Sequence, residues 1–149
     1  MRTTIQKLAE QYQQDLVEIR RHLHAYLELS FYEEKTAAFI SAKLQSFGIE
    51  HQTNIGGHGI VGYIKGKYPE KKTIALRADI DALPIEEKNT CSYTSQNIGV
   101  MHACGHDVHT TCLLGAAKIL QELKDNLEGT IKLIFQQKEK KLPGGASIL

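Results

Sequence analysis

The sequence predicts an α/β fold built on a mixed sheet. Residues 73–135 read strand, helix, strand, an order that implies a parallel pair joined by a crossover. Three polar clusters fall where that order places strand ends, and α/β sheets collect ligands at the carboxyl ends of their strands. A chain of 149 residues with 42% apolar and 23% charged residues amounts to one ordinary domain and can bury a real core.

The elements follow in order. Ile5, Leu8, Tyr12, Leu16, Ile19 and Leu23 recur at three- and four-residue steps, which predicts a helix over residues 4–26 with one apolar stripe. A second helix is predicted over 33–47, with Ile40, Leu44 and Phe47 inward and Gly48 as its C-terminal stop. Strand-like runs follow at 50–53, 60–64 and 73–78, with a turn at Gly56, Gly57 and Gly59 and breaks at Gly66 and Pro69. Residues 82–106 are polar and lack periodicity, the mark of a functional loop in a compact domain. Leu113, Leu114, Ala117, Leu120 and Leu123 predict a helix over 109–124, in which Cys112 reads as a small core residue. Gly129 then precedes Thr130–Phe135 (TIKLIF), a β-branched strand.

The net charge of +1, with Lys and Arg spread along the chain, points away from nucleic acid or an anionic membrane surface as partner. No apolar stretch reaches the roughly 18 residues of a membrane span. The opening MRTTIQKLAEQYQQD lacks the apolar core of a signal peptide, so the expected location is the cytoplasm. Three cysteines, an odd number, argue against a disulfide framework.

The chemistry lies in the clusters. In Arg77–Pro84 (RADIDALP), Asp79 and Asp81 leave a strand end on one side, which is costly unless a cation or donor stands between them. The other reading is a solvated turn with Arg77 as counter-ion. Met101–His109 (MHACGHDVH) packs a thiol, three imidazoles and a carboxylate just before a helix. Cys104 and His106, two apart around a glycine, can face one point, and thiolate and imidazole are ligands that zinc and its neighbours favour. A Cys–His nucleophile is the competing use. In Phe135–Ala146 (FQQKEKKLPGGA), Glu139 is a lone carboxylate among lysines and says little by itself.

Together, RADIDALP, MHACGHD and the Phe135–Ala146 segment resemble the three N-terminal signatures of the M20 metallopeptidases. The similarity is to their amidohydrolase branch, with its aminoacylase-like, hippurate-hydrolase-like and auxin-conjugate hydrolase enzymes. Arg20–His24 (RRHLH) with Glu28–Ser30 (ELS), and Leu114–Leu120 (LGAAKIL), resemble further motifs of that branch, so the match runs from residue 20 to 146.

The resemblance implies the N-terminal part of a zinc-exopeptidase-like catalytic domain: a central mixed sheet flanked by helices, incomplete within 1–149, without a lid or dimerisation domain. It implies Cys104 and His106 as metal ligands of a two-metal site holding Zn, Mn or Co. It makes Asp81 the carboxylate that orients a metal-binding histidine. It makes Glu139 the general base that takes a proton from water, in hydrolysis of a small N-acyl amino acid.

Several positions depart from the family pattern. Lys140 stands where a second, metal-binding glutamate is usual, and a protonated lysine cannot bind a cation. Gln137 and Lys138 replace a Pro and an Ala, and Leu27 replaces a proline. Family members are more than twice as long. Inactivity of this chain is therefore expected. The alternatives are a non-catalytic remnant that associates through a sheet edge, and a thiol enzyme using Cys104. Helices are expected on both sheet faces. With the chain ending soon after its last strand, Ile131, Leu133 and Phe135 are expected on a poorly covered face, giving marginal stability and self-association.

Overall fold

The computed structural model describes residues 1–137 and 139. Its elements are α1 (Arg2–Ala25), α2 (Glu34–Ser46), β1 (Glu50–Ile55), β2 (Gly59–Lys65), β3 (Thr73–Asp79), α3 (His106–Glu122), a single 3-10 turn at Lys124–Asn126, and β4 (Thr130–Gln136). The four strands form one sheet in the order β1-β2-β4-β3. β1 and β4 run antiparallel to β2, while β3 runs parallel to β4 from Thr73↔Thr130 to Asp79↔Gln136. The predicted α/β fold with a parallel pair across the crossover helix is therefore present.

Register explains the core. Ile60, Ala78 and Phe135 share one rung and Gly62, Leu76 and Leu133 another, so both rungs point to one face. On that face they meet Ile19 and Leu23 of α1, Ile40 and Leu44 of α2, and Leu113, Leu114 and Ala117 of α3 in one cluster. Among the described residues all three α-helices join this single core. The opposite face carries Val61, which is buried, and Tyr63, Ala75, Arg77, Lys132 and Ile134, which are half-buried or exposed. Helices were expected on both faces; among the described residues they cover one. The expectation that Leu133 and Phe135 would sit on a bare face is also corrected. Their odd-numbered positions point under α2 and α3, and both are fully buried, while Ile131 packs against the same cluster. Phe135→Ala should accordingly cost about 3–5 kcal/mol, the range for truncating a buried aromatic, in chemical denaturation.

Two local features set up the site. Helix α3 begins at His106, three residues earlier than its apolar pattern suggested. Gly105 supplies a left-handed residue (φ 85°) at the N-cap, so the chain turns into the helix directly behind the thiol–imidazole cluster. Gly115 brings α1 close, because a Cβ there would lie 2.9 Å from Leu16 Cδ1. Cys112, read as a core residue, is exposed. One position earlier or later on the same helix is buried, and the rotation of α3 against α1 decides which.

Candidate metal centre

The site stands at the carboxyl ends of β3 and β4, against the first turn of α3. β3 ends at Asp79, whose Oδ1 takes Arg77 Nη2 at 2.6 Å. The expected counter-ion role of Arg77 is therefore realised with Asp79. Asp81 turns elsewhere. It is 1% exposed, and its Oδ1 and its backbone carbonyl lie 3.1 and 2.9 Å from His106 Nδ1. Its other oxygen accepts a hydrogen bond from Ser30 Oγ at 2.6 Å. Ser30 belongs to the Glu28–Ser30 segment, whose Glu28 in turn accepts from the backbone N–H and hydroxyl of Thr36 at the start of α2.

Both acceptors around His106 Nδ1 are oxygens, so Nδ1 carries a proton, and in the neutral ring Nε2 presents the lone pair. Nε2 faces Glu139 Oε2 at 3.9 Å. Burial alone would lower the His106 pKa, but the hydrogen bonds and charge of Asp81 outweigh it and hold it above the ordinary value. Ligand atoms of Asp81, His106 and Glu139 lie within 4.8 Å of one another, and so do those of Asp79, His106 and His109. His106 is shared by both groups. The two carboxylates, expected to leave the strand end on one side, take different partners, Asp81 behind the imidazole and Asp79 with Arg77 and towards His109.

Asp81, His106 and Glu139 come together from β3's end, α3 and β4's end. Cys104 is exposed on the turn before Gly105 and is part of neither group of three among the described residues. Lys140, Lys138 and the Leu142–Ala146 segment lie outside the described residues. Gln137, where the family pattern has proline, is fully buried and clamps the β1–β2 turn: its amide donates to Gly56 O, and its carbonyl accepts from His58 N.

Sequence reasoning missed a buried polar network beside the site. Asp107 Oδ2 meets His24 Nδ1 at 2.7 Å and Arg20 Nε at 3.0 Å, and His24 Nε2 meets Glu87 Oε1 at 3.0 Å. The available signal was Arg20 and His24, four apart on a helix, with His24 close to the apolar stripe. Burial raises and hydrogen bonds lower the Glu87 pKa. The bonds from Ser95 N–H, His24 and Asn89 prevail and bring it to about 2. His102, 6% exposed, has its pKa pushed down by burial to about 4.

An imidazole locked by a buried carboxylate, its other nitrogen turned to a second carboxylate at the strand ends of an α/β sheet, is an arrangement that could hold a metal ion. Residues 75–149 match the description of peptidase family M20/M25/M40. The chain is 48% identical over 142 residues to the N-acyl-L-amino acid amidohydrolase of Geobacillus stearothermophilus, covering 95% of this chain and 38% of that one. It is 48% identical over 137 residues to the N-acetyl-L-cysteine deacetylase of Bacillus subtilis, covering 92% of this chain and 33% of that one. Its fold matches a crystal structure from methicillin-resistant Staphylococcus aureus with TM-score 0.94 and 44% identity, over 99% of this chain and 38% of the other. It also matches the YXEP protein of Bacillus subtilis, a dinuclear metal-binding peptidase of the M20 family, with TM-score 0.82 and 40% identity over 86% and 36%. The chain belongs to the M20 peptidase family, and it spans about a third of the length of these relatives. Among the described residues no helix is long and apolar enough to cross a membrane.

Proposed function

We propose that this chain carries the first part of a divalent-metal centre for hydrolysis of N-acyl amino acids. The observation that carries the reading is the His106 imidazole, fixed through Nδ1 by Asp81 so that Nε2 is free to bind a cation. The chemistry around Nε2 suits such an ion: an imidazole oriented by Asp81 on its far side, with the Glu139 carboxylate 3.9 Å from Nε2. Cys104 joins His106 as a ligand by its place in the family motif. A bound Zn, Mn or Co supplies Lewis-acid polarisation of the amide carbonyl and a more acidic water. Asp81 keeps Nδ1–H engaged and so keeps His106 in the ligating tautomer. Glu139, half-buried opposite Nε2, accepts the proton of the attacking water and returns it to the departing amine.

As the 149-residue chain, the protein is expected to show no measurable turnover of N-acetyl or N-benzoyl amino acids, because Lys140 puts a cation where the family places a carboxylate ligand. The check is an amine-release assay with added Zn, Mn or Co alongside metal titration. Metal-dependent turnover that disappears in Glu139→Gln would overturn the inactivity. Failure to bind any of the three metals would overturn the centre itself.

A second reading, self-association, draws support from β3. This strand is at the sheet edge, and its Ile74 is 53% exposed. An open edge with an apolar side chain can accept another strand. Sedimentation velocity across a concentration series tests it, and a monomer at every concentration removes it.

A further inference from the structure

Outside the centre, a second set of buried charged groups lies against the N-terminal helix. Arg20 and His24 sit one turn apart on α1, and both reach Asp107, the residue that follows His106 in the first turn of α3. Asp107 is 1% exposed, and charged side chains are rarely buried so fully unless paired. Its pairing is confined to one oxygen. Oδ2 takes both Arg20 and His24, while Oδ1 has no hydrogen-bond partner among the described residues. A buried carboxylate left half satisfied costs stability. A hydrophobic contact between α1 and α3 would hold the helices together without that cost.

The second end of the arrangement is in the long polar loop. His24 uses its other nitrogen on Glu87, so the ring bridges the two carboxylates. Glu87 is held in turn by Ser95 N–H at 2.6 Å and Asn89 Nδ2 at 2.9 Å. Gln96 N–H and Asn97 Nδ2 fasten the same loop to the carbonyls of Ala25, the last residue of α1, and of Leu27 just beyond it. Tyr93 stands edge-on to the His24 ring and beneath the guanidiniums of Arg20 and Arg21. The His24 ring therefore has one seat, set from three sides.

We infer that Arg20, His24 and Glu87 are positioning residues for the metal centre: they clamp Asp107 and thereby fix the first turn of α3, so that His106 meets Asp81 and aims Nε2 at the site. At the N-cap no side chain packs against Gly105, and the turn is held by its own backbone bonds, Gly105 N–H to His102 O and His109 N–H to Gly105 O, and by Thr110 Oγ1 on Asp79 O. The clamp on Asp107 adds a side-chain restraint from α1 and the loop to that turn. The inference rests on the metal reading for one of its two readouts and stands apart from it for the other.

The test uses the 149-residue chain with His24→Ala and His24→Asn. Asn can place its amide N–H where Nδ1 stands and keep the link to Asp107, whereas Ala keeps neither link. The first readout is Co(II) affinity and its visible spectrum. The second, without metal, is the ring Nδ1–H resonance of His106 in nitrogen-labelled protein, which reports the bond to Asp81. His24→Ala is expected to lose roughly tenfold in Co(II) affinity, as outer-shell partners of metal ligands do, and to broaden or lose the resonance. His24→Asn should recover most of both, and near-ultraviolet circular dichroism should show both variants folded. Wild-type affinity together with an unshifted resonance in His24→Ala would overturn the inference. If the unaltered chain binds no Co(II), the metal reading falls, and the resonance still decides the clamp. If His24→Ala does not fold, Glu87→Ala, which removes only the loop-side anchor of the ring, is judged on the same resonance with the same two outcomes.

Discussion

Asp81→Asn is expected to weaken Zn or Co(II) binding by about 10–100-fold while leaving the chain folded, and His106→Ala is expected to abolish binding. The effect of Asp81→Asn is electronic and orientational. The carboxylate gives His106 Nδ1 an acceptor and Ser30 a partner at once. An amide in its place can turn its N–H₂ towards Nδ1, which then has to act as acceptor, and the proton moves to Nε2, the nitrogen a metal needs free. The backbone carbonyl of Asp81, 2.9 Å from Nδ1, opposes this flip and keeps the loss below that of removing the ring. Ser30→Ala should have a smaller effect, since it releases one oxygen of Asp81 without touching the bond to His106. Metal titration of the three variants, with thermal melts to confirm folding, gives the ranking. Equal affinity in Asp81→Asn and the unaltered chain would separate Asp81 from the metal centre.

Stability should fall by on the order of 3 kcal/mol between pH 6.5 and pH 4, and His102 should account for most of it. His102 is buried as the neutral ring, with its pKa pushed by burial from 6.5 to about 4. Between those values the unfolded chain binds a proton that the native state refuses. The stability linked to His102 is thus intact above 6.5 and is lost as pH falls towards 4. His106 acts in the opposite sense and in a different window. Its pKa is raised in the fold, so its contribution is complete below 6.5 and fades as pH rises through the native value. Glu87, lowered to about 2, adds to acid sensitivity only below its ordinary 4.5. His22, lowered by burial and by Lys43, acts in the same sense below 6.5, so it shares the slope between 4 and 6.5 with His102, which supplies the larger part. Urea denaturation at half-unit pH steps should show that slope, and His102→Asn should flatten it. An unchanged slope in the variant would mean that another group supplies the linkage.

How much of this was legible beforehand depends on the range of the interaction involved. Helix and strand positions emerged from spacing, because amphipathic periodicity is a local property and each of the seven main elements carries its own. The parallel β3–β4 pair followed from order and chirality rules alone. His106 stood out because thiol, imidazole and carboxylate groups crowd the segment before α3, whereas Asp81 and Glu139 took their roles from the resemblance to the M20 signatures. By contrast, the ends of α3 depended on the conformation of Gly105, and the orientation of Cys112 on the rotation of a helix that apolar spacing left free by one position.

By itself, the sequence determined the element order, the parallel pair, the M20 relationship and the residue types gathered at the strand ends. Only the tertiary structure decided which carboxylate serves which partner. Asp81 and His106 are 25 residues apart, His24 and Glu87 63, and His24 and Asp107 83. The physical reason is that a local pattern records which face of an element is apolar. The pairing of buried charges is set by how whole elements pack, here by α1 lying across α3 closely enough for Leu16 to touch Gly115 and for Arg20 and His24 to reach Asp107.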